Sequence, residues 1–275
     1  MNNYYTIEKK YLDLFCEHLH KIMGIFIEEG KRDILATKLS RLMTDAGISD
    51  SSEYYHFILS PPITQRQKDL QNDFIDNVTV HKTNFFRENN HFEFIKKHID
   101  EILANSESAK TKGELRIWSS ACSTGEEPYT ISMLMKEILP NNIRAKILAT
   151  DISPDSLRKA IVGTYVFGPE DAVPPDYANK YFISTGNQKT VVDEVKNQVT
   201  FRLFNLMEQF PFRFPFDIIF CRNVMIYFDR DVQEKLVEKF FNATSDKGFL
   251  FIGHSESLIQ VKHGYTYFEP TVYRK

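Results

Sequence analysis

Residues 115–151 constrain the fold more than any other part of this 275-residue chain. An apolar run over 115–119 leads into the small residues 121–125, a helix-like segment follows, and a second apolar run ends at Asp151. This pattern predicts a strand, a tight turn, a helix and a second strand. Small residues let the turn approach a ligand closely, and an acid at the tip of the second strand can hold ribose hydroxyls.

The charges around this turn indicate what kind of ligand it accepts. The turn has one glycine instead of a Gly-x-Gly-x-x-Gly pattern, and Glu126 and Glu127 follow where a pyrophosphate would need positive charge. Their charge suits a cationic ligand, which favours S-adenosylmethionine over NAD. Alternatively, both glutamates only complement the dipole of the helix. Asp151 could likewise be a helix cap, but Ser153 before Pro154 already serves as one, so the ribose role is favoured.

Composition excludes several classes of protein. Hydrophobic content of 42% and charged content of 26% are ordinary for a globular protein, and a net charge of −3 argues against a general nucleic-acid binder. The three cysteines form no CxxC pair, which is typical of reduced thiols. With no signal segment and no apolar run of membrane-spanning length, we expect a cytoplasmic protein that does not insert into membranes.

The chain divides into regions of different pattern. The first eighty or so residues predict short helices without strands, including one that starts near Ser51 or Ser52 and one from Thr64 towards Thr79. Later segments predict strands over 115–119, 146–150, 216–221 and 249–253, and helices over 128–138, 154–161 and 230–243. Alternation of strands and helices predicts an α/β fold with a doubly wound, mostly parallel sheet.

Residues 163–200 interrupt this alternation. Short runs at 180–184 and 189–192 flank a turn at 185–188 and predict a small antiparallel insertion, although a plain irregular connection is the alternative. The predicted organisation is therefore a helical domain over 1–80, a linker and ligand-contacting segment over 81–112, and an α/β domain over 113–275 that contains the insertion.

Two further segments carry candidate site residues. The apolar strand at 216–221 delivers Arg222, Asn223 and Tyr227 at its carboxyl end, where open α/β sheets bind ligands. An arginine there could instead pair with Asp229 or with a core acid.

Residues 77–87 end in Phe85, Phe86 and Arg87, and a run of two phenylalanines is costly to leave exposed. We expect this segment to pack over a cleft and to bring Thr83 and Arg87 near a ligand, although it could be an ordinary linker. Cys122 and Cys221 are expected to be buried apolar residues, and the eight histidines show no metal-ligand spacing, so no metal is expected.

Taken together, these motifs resemble those of the bacterial chemotaxis receptor methyltransferases, the CheR family, over nearly the whole chain. The matching motifs are Thr83-Asn-Phe-Phe-Arg-Glu88, Trp118-Ser-Ser-Ala-Cys-Ser-Thr-Gly-Glu-Glu-Pro-Tyr129, Ala149-Thr-Asp-Ile152, Phe204-Asn-Leu206, Cys221-Arg-Asn-Val-Met-Ile-Tyr-Phe228 and Gly253-His-Ser-Glu256. The resemblance implies an N-terminal all-α domain, a Rossmann-like S-adenosylmethionine-dependent methyltransferase domain and an inserted β-subdomain. It also implies methyl transfer to glutamate side chains on the cytoplasmic helices of chemoreceptors, giving methyl esters in chemotaxis adaptation and S-adenosylhomocysteine as product.

The resemblance also assigns site residues by position. The residues implied around the cofactor are His81, Thr83, Arg87, Glu126, Asp151, Asn205, Leu206, Arg222 and Asn223. Arg87, Arg222 and Tyr227 are the implied catalytic residues, with Tyr227 close to the transferred methyl, and which arginine orients the acceptor carboxylate stays open. His81 departs from the family, where asparagine is common at its position.

The basic residues Lys31, Lys38 and Arg41 recur at helical spacing and are the candidate receptor-binding face, because the family's N-terminal domain contacts receptor helices. Alternatively, Lys31 and Lys38 lay their stems along the apolar arc of Ile34, Leu35 and Leu42. Some members of the family dock the C-terminal peptide of a receptor on the β-subdomain, and those carry a longer glycine-containing hairpin loop. The turn at 185–188 is shorter, so the resemblance implies docking that does not depend on such a peptide. Two other functions stay open. One is methylation of a nucleic acid or a small molecule, which the missing Asp/Asn-Pro-Pro-aromatic motif disfavours, and the other is a non-catalytic sensor of the cofactor.

Overall fold

The computed structural model describes residues 4–275, which form two compact units. The first unit extends through Val80 and also takes in Ser153–Asp155 and Tyr227–Asp229, and the second contains the rest of the chain. Within the described residues, no helix is both long enough and apolar enough to span a membrane.

Helices make up the first unit, as predicted. They are α1 (Lys9–Met23), α2 (Arg32–Ala46), α3 (Ser51–Leu59) and α4 (Gln65–Val78), with a 3-10 turn at Glu29–Lys31. Thr64 caps α4 by accepting a hydrogen bond from the backbone N–H of Gln67 at 3.1 Å, which confirms the predicted start of this helix. The cap of α3 is Asp50, and not Ser51 or Ser52, because its carboxylate accepts from the Glu53 N–H at 2.7 Å.

Two details of the predicted basic face are wrong. Lys31 lies in the 3-10 turn that precedes α2, so it does not share the helical spacing of Lys38 and Arg41. Ile34 is 60% exposed and therefore is not part of a buried apolar arc, whereas Leu35 and Leu42 are buried.

The second unit is built on a seven-stranded sheet. Its strands are β1 (Glu114–Ser119), β2 (Arg144–Asp151), β6 (Val199–Leu203), β7 (Phe216–Cys221), β8 (Thr244–Ile252), β9 (Thr266–Glu269) and β10 (Val272–Arg274). The order is β6-β2-β1-β7-β8-β10-β9, with parallel pairing from β6 through β8 and antiparallel pairing beyond. The helices that accompany it are α5 (Asn90–Asn105), α6 (Glu107–Lys112), α7 (Glu126–Ile138), α8 (Pro154–Val162) and α11 (Arg230–Ala243). The doubly wound α/β prediction is confirmed.

Aromatic packing fills the core of the second unit. Trp118, the single tryptophan of the chain, is fully buried in β1, and its indole N–H donates to Thr150 Oγ1 at 2.9 Å. The rings of Phe212, Phe216 and Phe240 lie 4.7, 5.4 and 5.3 Å from the Trp118 ring, centroid to centroid. Such contacts add to the stabilisation from the buried area, by about 0.5–1.5 kcal/mol per pair.

The predicted antiparallel insertion is confirmed. A three-stranded sheet of order β3-β5-β4 is formed by β3 (Thr164–Tyr165), β4 (Phe182–Thr185) and β5 (Gln188–Val191), and β4 and β5 form the hairpin. Two short helices, α9 (Pro175–Tyr181) and α10 (Asp193–Lys196), complete the insertion. Residues 180 and 181 thus belong to a helix and not to the predicted strand, because Pro175 starts a helical turn that continues to Tyr181.

Candidate active site

The turn after β1 closes on the tip of β2. The Cys122 N–H donates to the carbonyl oxygen of Thr150, and the Ser123 N–H donates to Asp151 Oδ2 at 2.8 Å. Ser123 has a positive φ of 48°, and its hydroxyl donates to the carbonyl of His81 at 3.0 Å. Asp151, the predicted ribose ligand, is therefore fixed at the carboxyl edge of the sheet with one oxygen holding the turn.

The two glutamates at the start of α7 have different surroundings. Glu126 accepts from the Thr124 hydroxyl at 2.7 Å, so its contact is local to the turn. Glu127 accepts from the Ser119 hydroxyl at 2.6 Å and pairs with Arg222 Nη1 at 3.2 Å. Burial raises the pKa of both carboxyls, and Arg222 opposes this for Glu127. Glu127 belongs to the support of the site, and Glu126 stays the predicted ligand-facing acid.

Arg222, at the end of β7, is the centre of a buried charge network. Its Nε and Nη2 lie 3.2 and 3.1 Å from Glu88 Oε2, its Nη1 contacts Glu127, and its Nη2 also donates to the carbonyl of Arg87. The Arg222 side chain is only 2% exposed. Its guanidinium is therefore directed at groups of the protein itself, and the predicted pairing with a core acid is the alternative that the geometry supports.

Glu88 joins three segments of the second unit at one carboxylate. Besides Arg222, it accepts from the Asn223 amide at 3.2 Å and from the His254 backbone N–H at 3.1 Å. Burial by itself raises the pKa of Glu88, but Arg222 and these hydrogen bonds lower it further than burial raises it, so the net pKa is below its usual value. Glu88 is thus ionised and paired.

Phe85 and Phe86 are buried, as their sequence predicted. Phe86 and Glu88 both have a φ of 55°, an unusual conformation for residues other than glycine. Between them, Arg87 donates from Nη1 to the carbonyl of Lys82 at 2.9 Å. The loop is therefore held by contacts on both sides of Arg87.

Glu256 is a supporting residue that sequence reasoning missed. Its carboxylate accepts from the backbone N–H groups of Gly253, Asn223 and Met225 at 2.6, 3.0 and 2.7 Å. These bonds fix Asn223 at a φ of 59°. The available signal was the Gly253-His-Ser-Glu256 motif, which the resemblance includes without assigning a role to Glu256.

The remaining predicted cofactor residues of the second unit lie in two segments. A hydrogen bond of 3.0 Å joins His81 Nδ1 and the Ser156 hydroxyl. Thr83, two residues after His81, is half-buried. Asn205 accepts from the Met207 N–H at 3.0 Å, and Leu206 is 7% exposed. Lys239 of α11, which was not predicted, donates to the carbonyls of Leu206 and Glu208 and so holds this second segment.

The other predicted site residues lie in the first unit. Tyr227 ends a 3-10 turn at Met225–Tyr227, and its carbonyl accepts from the Phe26 N–H at 2.8 Å. Lys38 donates to the backbone carbonyl of Asn77, and Arg41 donates to the side-chain oxygen of the same residue. Their catalytic and substrate roles stay predictions.

Neither the buried thiols nor the histidines form a competing catalytic centre among the described residues. Cys122 and Cys221 are free and buried, and burial raises both thiol pKa values well above their usual range. Glu88, His91 and His254 place possible ligand atoms within 4.8 Å of one another. Arg222 already pairs with that carboxylate, and a second cation there would face its positive charge.

A doubly wound sheet with an acidic turn at its carboxyl edge is the architecture of a Rossmann-like domain that binds a nucleoside cofactor. Residues 81–274 match the family described as "CheR methyltransferase, SAM binding domain", and residues 10–79 match "CheR methyltransferase, all-alpha domain". The chain belongs to the CheR methyltransferase family.

Three relatives illustrate this similarity. The chain is 38% identical to the chemotaxis protein methyltransferase of Borreliella burgdorferi, over 98% of this chain and 95% of the relative. It is 37% identical to a probable chemotaxis protein methyltransferase of Rhizobium etli, over 91% and 94% respectively. It is 34% identical to the chemotaxis protein methyltransferase of Escherichia coli, over 93% and 87%. The resemblance stated from the motifs is therefore confirmed.

Proposed function

We propose that this methyltransferase transfers a methyl group from S-adenosylmethionine to glutamate side chains on the cytoplasmic helices of chemoreceptors. Membership of the CheR family and relatives named as chemotaxis methyltransferases support this proposal. The observation that carries it is the acidic turn of the second unit, where Asp151 binds the Ser123 N–H beside Glu126. The products are a glutamyl methyl ester and S-adenosylhomocysteine.

The residues of this turn fit S-adenosylmethionine better than a dinucleotide. A pyrophosphate at the start of α7 would meet the carboxylate of Glu126, whereas a sulfonium is attracted by it. Asp151 would bind the ribose, and Asn205, Leu206, His81, Thr83 and Asn223 are the other proposed contacts. When bound, this cofactor supplies a methyl group on a positively charged sulfur.

The acceptor needs orientation more than deprotonation. An unperturbed glutamate has a pKa of about 4.3, so it is already ionised at neutral pH and needs no general base. Aligning the carboxylate with the methyl group can lower the barrier by about 7–11 kcal/mol at most. The task of the protein is therefore to hold the acceptor oxygen in line and away from water.

Of the two candidate arginines, Arg87 is the one that we propose to orient a carboxylate. Arg222 directs its guanidinium at Glu88, Glu127 and the carbonyl of Arg87, which suits a residue that positions the loop. Tyr227 is proposed to lie beside the transferred methyl, where its ring or hydroxyl can stabilise the sulfonium by a weak cation–π contact.

Receptor recognition is proposed to use the basic residues of the first unit. Lys31 is 64% exposed in its side chain, and Arg41 is 50% exposed. The double substitution Lys38→Glu and Arg41→Glu should raise the KM for receptor and weaken its dependence on salt, with normal cofactor binding. The control is Lys21→Glu, which reverses the charge of an exposed residue on α1. Receptor methylation that is equal in both variants would refute this face.

The proposed reaction is tested with cofactor labelled on its methyl group and receptor cytoplasmic fragments. We expect label on the receptor that is released by base, because methyl esters hydrolyse in base and methylated amines do not. Base-stable label would indicate an amine acceptor. Cofactor binding without any transfer would indicate a sensor and would overturn the proposal.

A further inference from the structure

The β-insertion contacts the proposed cofactor site through the side chain of Tyr165. The Tyr165 hydroxyl donates to the carbonyl oxygen of Thr124 at 2.7 Å, inside the turn that precedes α7. Burial raises the pKa of Tyr165 well above its usual value, so the hydroxyl stays protonated and can donate. Thr124 is the residue whose own hydroxyl binds Glu126.

The turn is also pressed closely against Tyr165. Gly125 has a φ of 98°, and a Cβ atom at this position would lie 3.0 Å from the Tyr165 hydroxyl and 2.8 Å from Ala160 Cβ. Only glycine accepts both this conformation and this distance. The position of the turn is therefore set in part by the insertion.

A second contact from the insertion reaches the loop that carries Arg87. Asp171 accepts from the Phe85 N–H at 3.0 Å and from the Gly168 N–H at 2.7 Å. The Asn84 amide donates to the carbonyl of Glu170 at 3.0 Å, next to Asp171. The loop is thus bonded to the insertion at two successive residues.

Ring packing strengthens the same junction. The Phe85 ring lies edge-on to the rings of Tyr165, Phe167 and Phe182, at centroid distances of 4.9, 5.6 and 5.3 Å. All three partners belong to the insertion. Elsewhere in the hairpin, Ile183 of β4 is 60% exposed, and Gly186 in the turn faces open space.

We infer that Tyr165 and Asp171 are positioning residues for cofactor binding, and that the base of the insertion supports the turn and the loop of the cofactor site. Tyr165 holds the acidic turn through Thr124, and Asp171 holds the Thr83–Arg87 loop through Phe85. The inference rests on the cofactor lying at this turn, as proposed above. It gives the insertion a role in this chain that does not require its hairpin to bind a receptor peptide.

The test compares two tyrosines whose hydroxyls each make a hydrogen bond of 2.7 Å. Tyr165→Phe removes the bond to Thr124, and Tyr265→Phe removes the bond to the Thr244 hydroxyl, at the opposite edge of the sheet. We expect similar small losses of melting temperature, because both variants lose one neutral hydrogen bond. Only Tyr165→Phe should weaken S-adenosylmethionine binding in calorimetry, by about three- to tenfold.

Asp171→Asn provides a second measurement on the other loop. The amide retains one acceptor oxygen and presents an N–H group to one of the two backbone N–H groups, so the hold on Phe85 is loosened. We expect weaker cofactor binding and a slower single-cycle methyl transfer. Ile183→Ser, at an exposed position of β4, should leave both quantities within twofold of the wild type.

Each outcome decides a separate statement. Wild-type protein that does not bind S-adenosylmethionine would overturn the proposed function itself. If the wild type binds S-adenosylmethionine and both Tyr165→Phe and Asp171→Asn bind it with the same affinity, the positioning roles are overturned. An equal loss of affinity in Tyr265→Phe would do the same, because the effect would then come from general destabilisation.

Discussion

The carboxyl and amino edges of the seven-stranded sheet both contain glutamates paired with basic residues, but the surroundings of these pairs differ. At the carboxyl edge, the largely buried carboxylates Glu88 and Glu127 share the buried Arg222, and the loops there place Phe86 and Asn223 at positive φ. At the amino edge, Glu114 pairs at 2.7 and 2.8 Å with Arg144 and Lys146, whose side chains are 68% and 54% exposed.

The difference shows where the fold combines left-handed backbone with a buried ion pair. Left-handed backbone at residues other than glycine costs about 1–3 kcal/mol, and a buried charge needs a partner. Both occur together in the loops that carry Arg87 and Asn223. The amino edge instead places its partners in water, where pairing contributes little and constrains little.

Loss of Arg222 should have the largest effect. Arg222→Met leaves Glu88 and Glu127, whose side chains are only 10% and 13% exposed, without their common partner, so the free energy of unfolding should fall by about 3–5 kcal/mol. Denaturant titration measures this loss. Arg274→Met is the control, because Arg274 pairs with Glu101 through side chains that are 24% and 40% exposed. Equal losses of stability in the two variants would mean that the buried and the partly exposed ion pairs do not differ in their contribution.

Asp151→Ala should weaken S-adenosylmethionine binding by about 10- to 100-fold, because it removes charge-assisted hydrogen bonds worth about 1.5–3 kcal/mol each. Calorimetry measures the affinity. Asp217→Ala at the amino edge is the matched control, since Asp217 is also buried and accepts from a backbone N–H, that of Arg116, at 2.9 Å. Asp217→Ala should lower stability and leave cofactor affinity unchanged. Unchanged affinity in Asp151→Ala would remove its ribose role.

Glu256→Gln should reduce stability by about 1–2 kcal/mol, because an amide group then faces backbone N–H groups that the carboxylate had accepted. The affected groups include those of Gly253 and Asn223. Hydrogen exchange at these amides should accelerate relative to those of the sheet core. Unchanged exchange rates there would show that the turn keeps its conformation without Glu256.

The smallest effect is expected at Glu114. Hydrogen bonds from Lys146 and Arg144 lower its pKa to about 2, so its contribution to stability is complete above the ordinary glutamate pKa and is lost as the pH falls towards 2. Because both partners are exposed, we expect about 1 kcal/mol at neutral pH. The difference in the free energy of unfolding between Glu114→Gln and the wild type should therefore shrink as the pH falls from 5 to about 2, as measured by acid unfolding. A difference that does not change with pH would contradict this.

The sequence predicted those features that are local in the chain. Buried parallel strands such as β1 and β7 are continuous apolar runs, and Thr64 is a good helix cap, so both were found. The edge strand β9 was missed, since its residues are partly exposed and give no clear alternation.

Long-range pairing limited the prediction of the site. Arg222 and Glu88 are separated by 134 positions, and no periodicity reveals which distant acid an arginine meets. The motif residues indicated where ligand-binding loops lie, but not which side chains support them. Glu256, Lys239 and Tyr165 act through backbone groups of other segments, which only a folded chain brings together.

Trp118, the single tryptophan of the chain, is an intrinsic fluorescence probe. Its indole lies in β1 of the second unit, among phenylalanine rings and bonded to Thr150, so tryptophan emission follows the solvation of that core alone. The first unit contributes helical circular dichroism but no tryptophan signal. Comparing the two signals during unfolding therefore tells whether the units melt together or in succession. The chain needs no added label for this measurement.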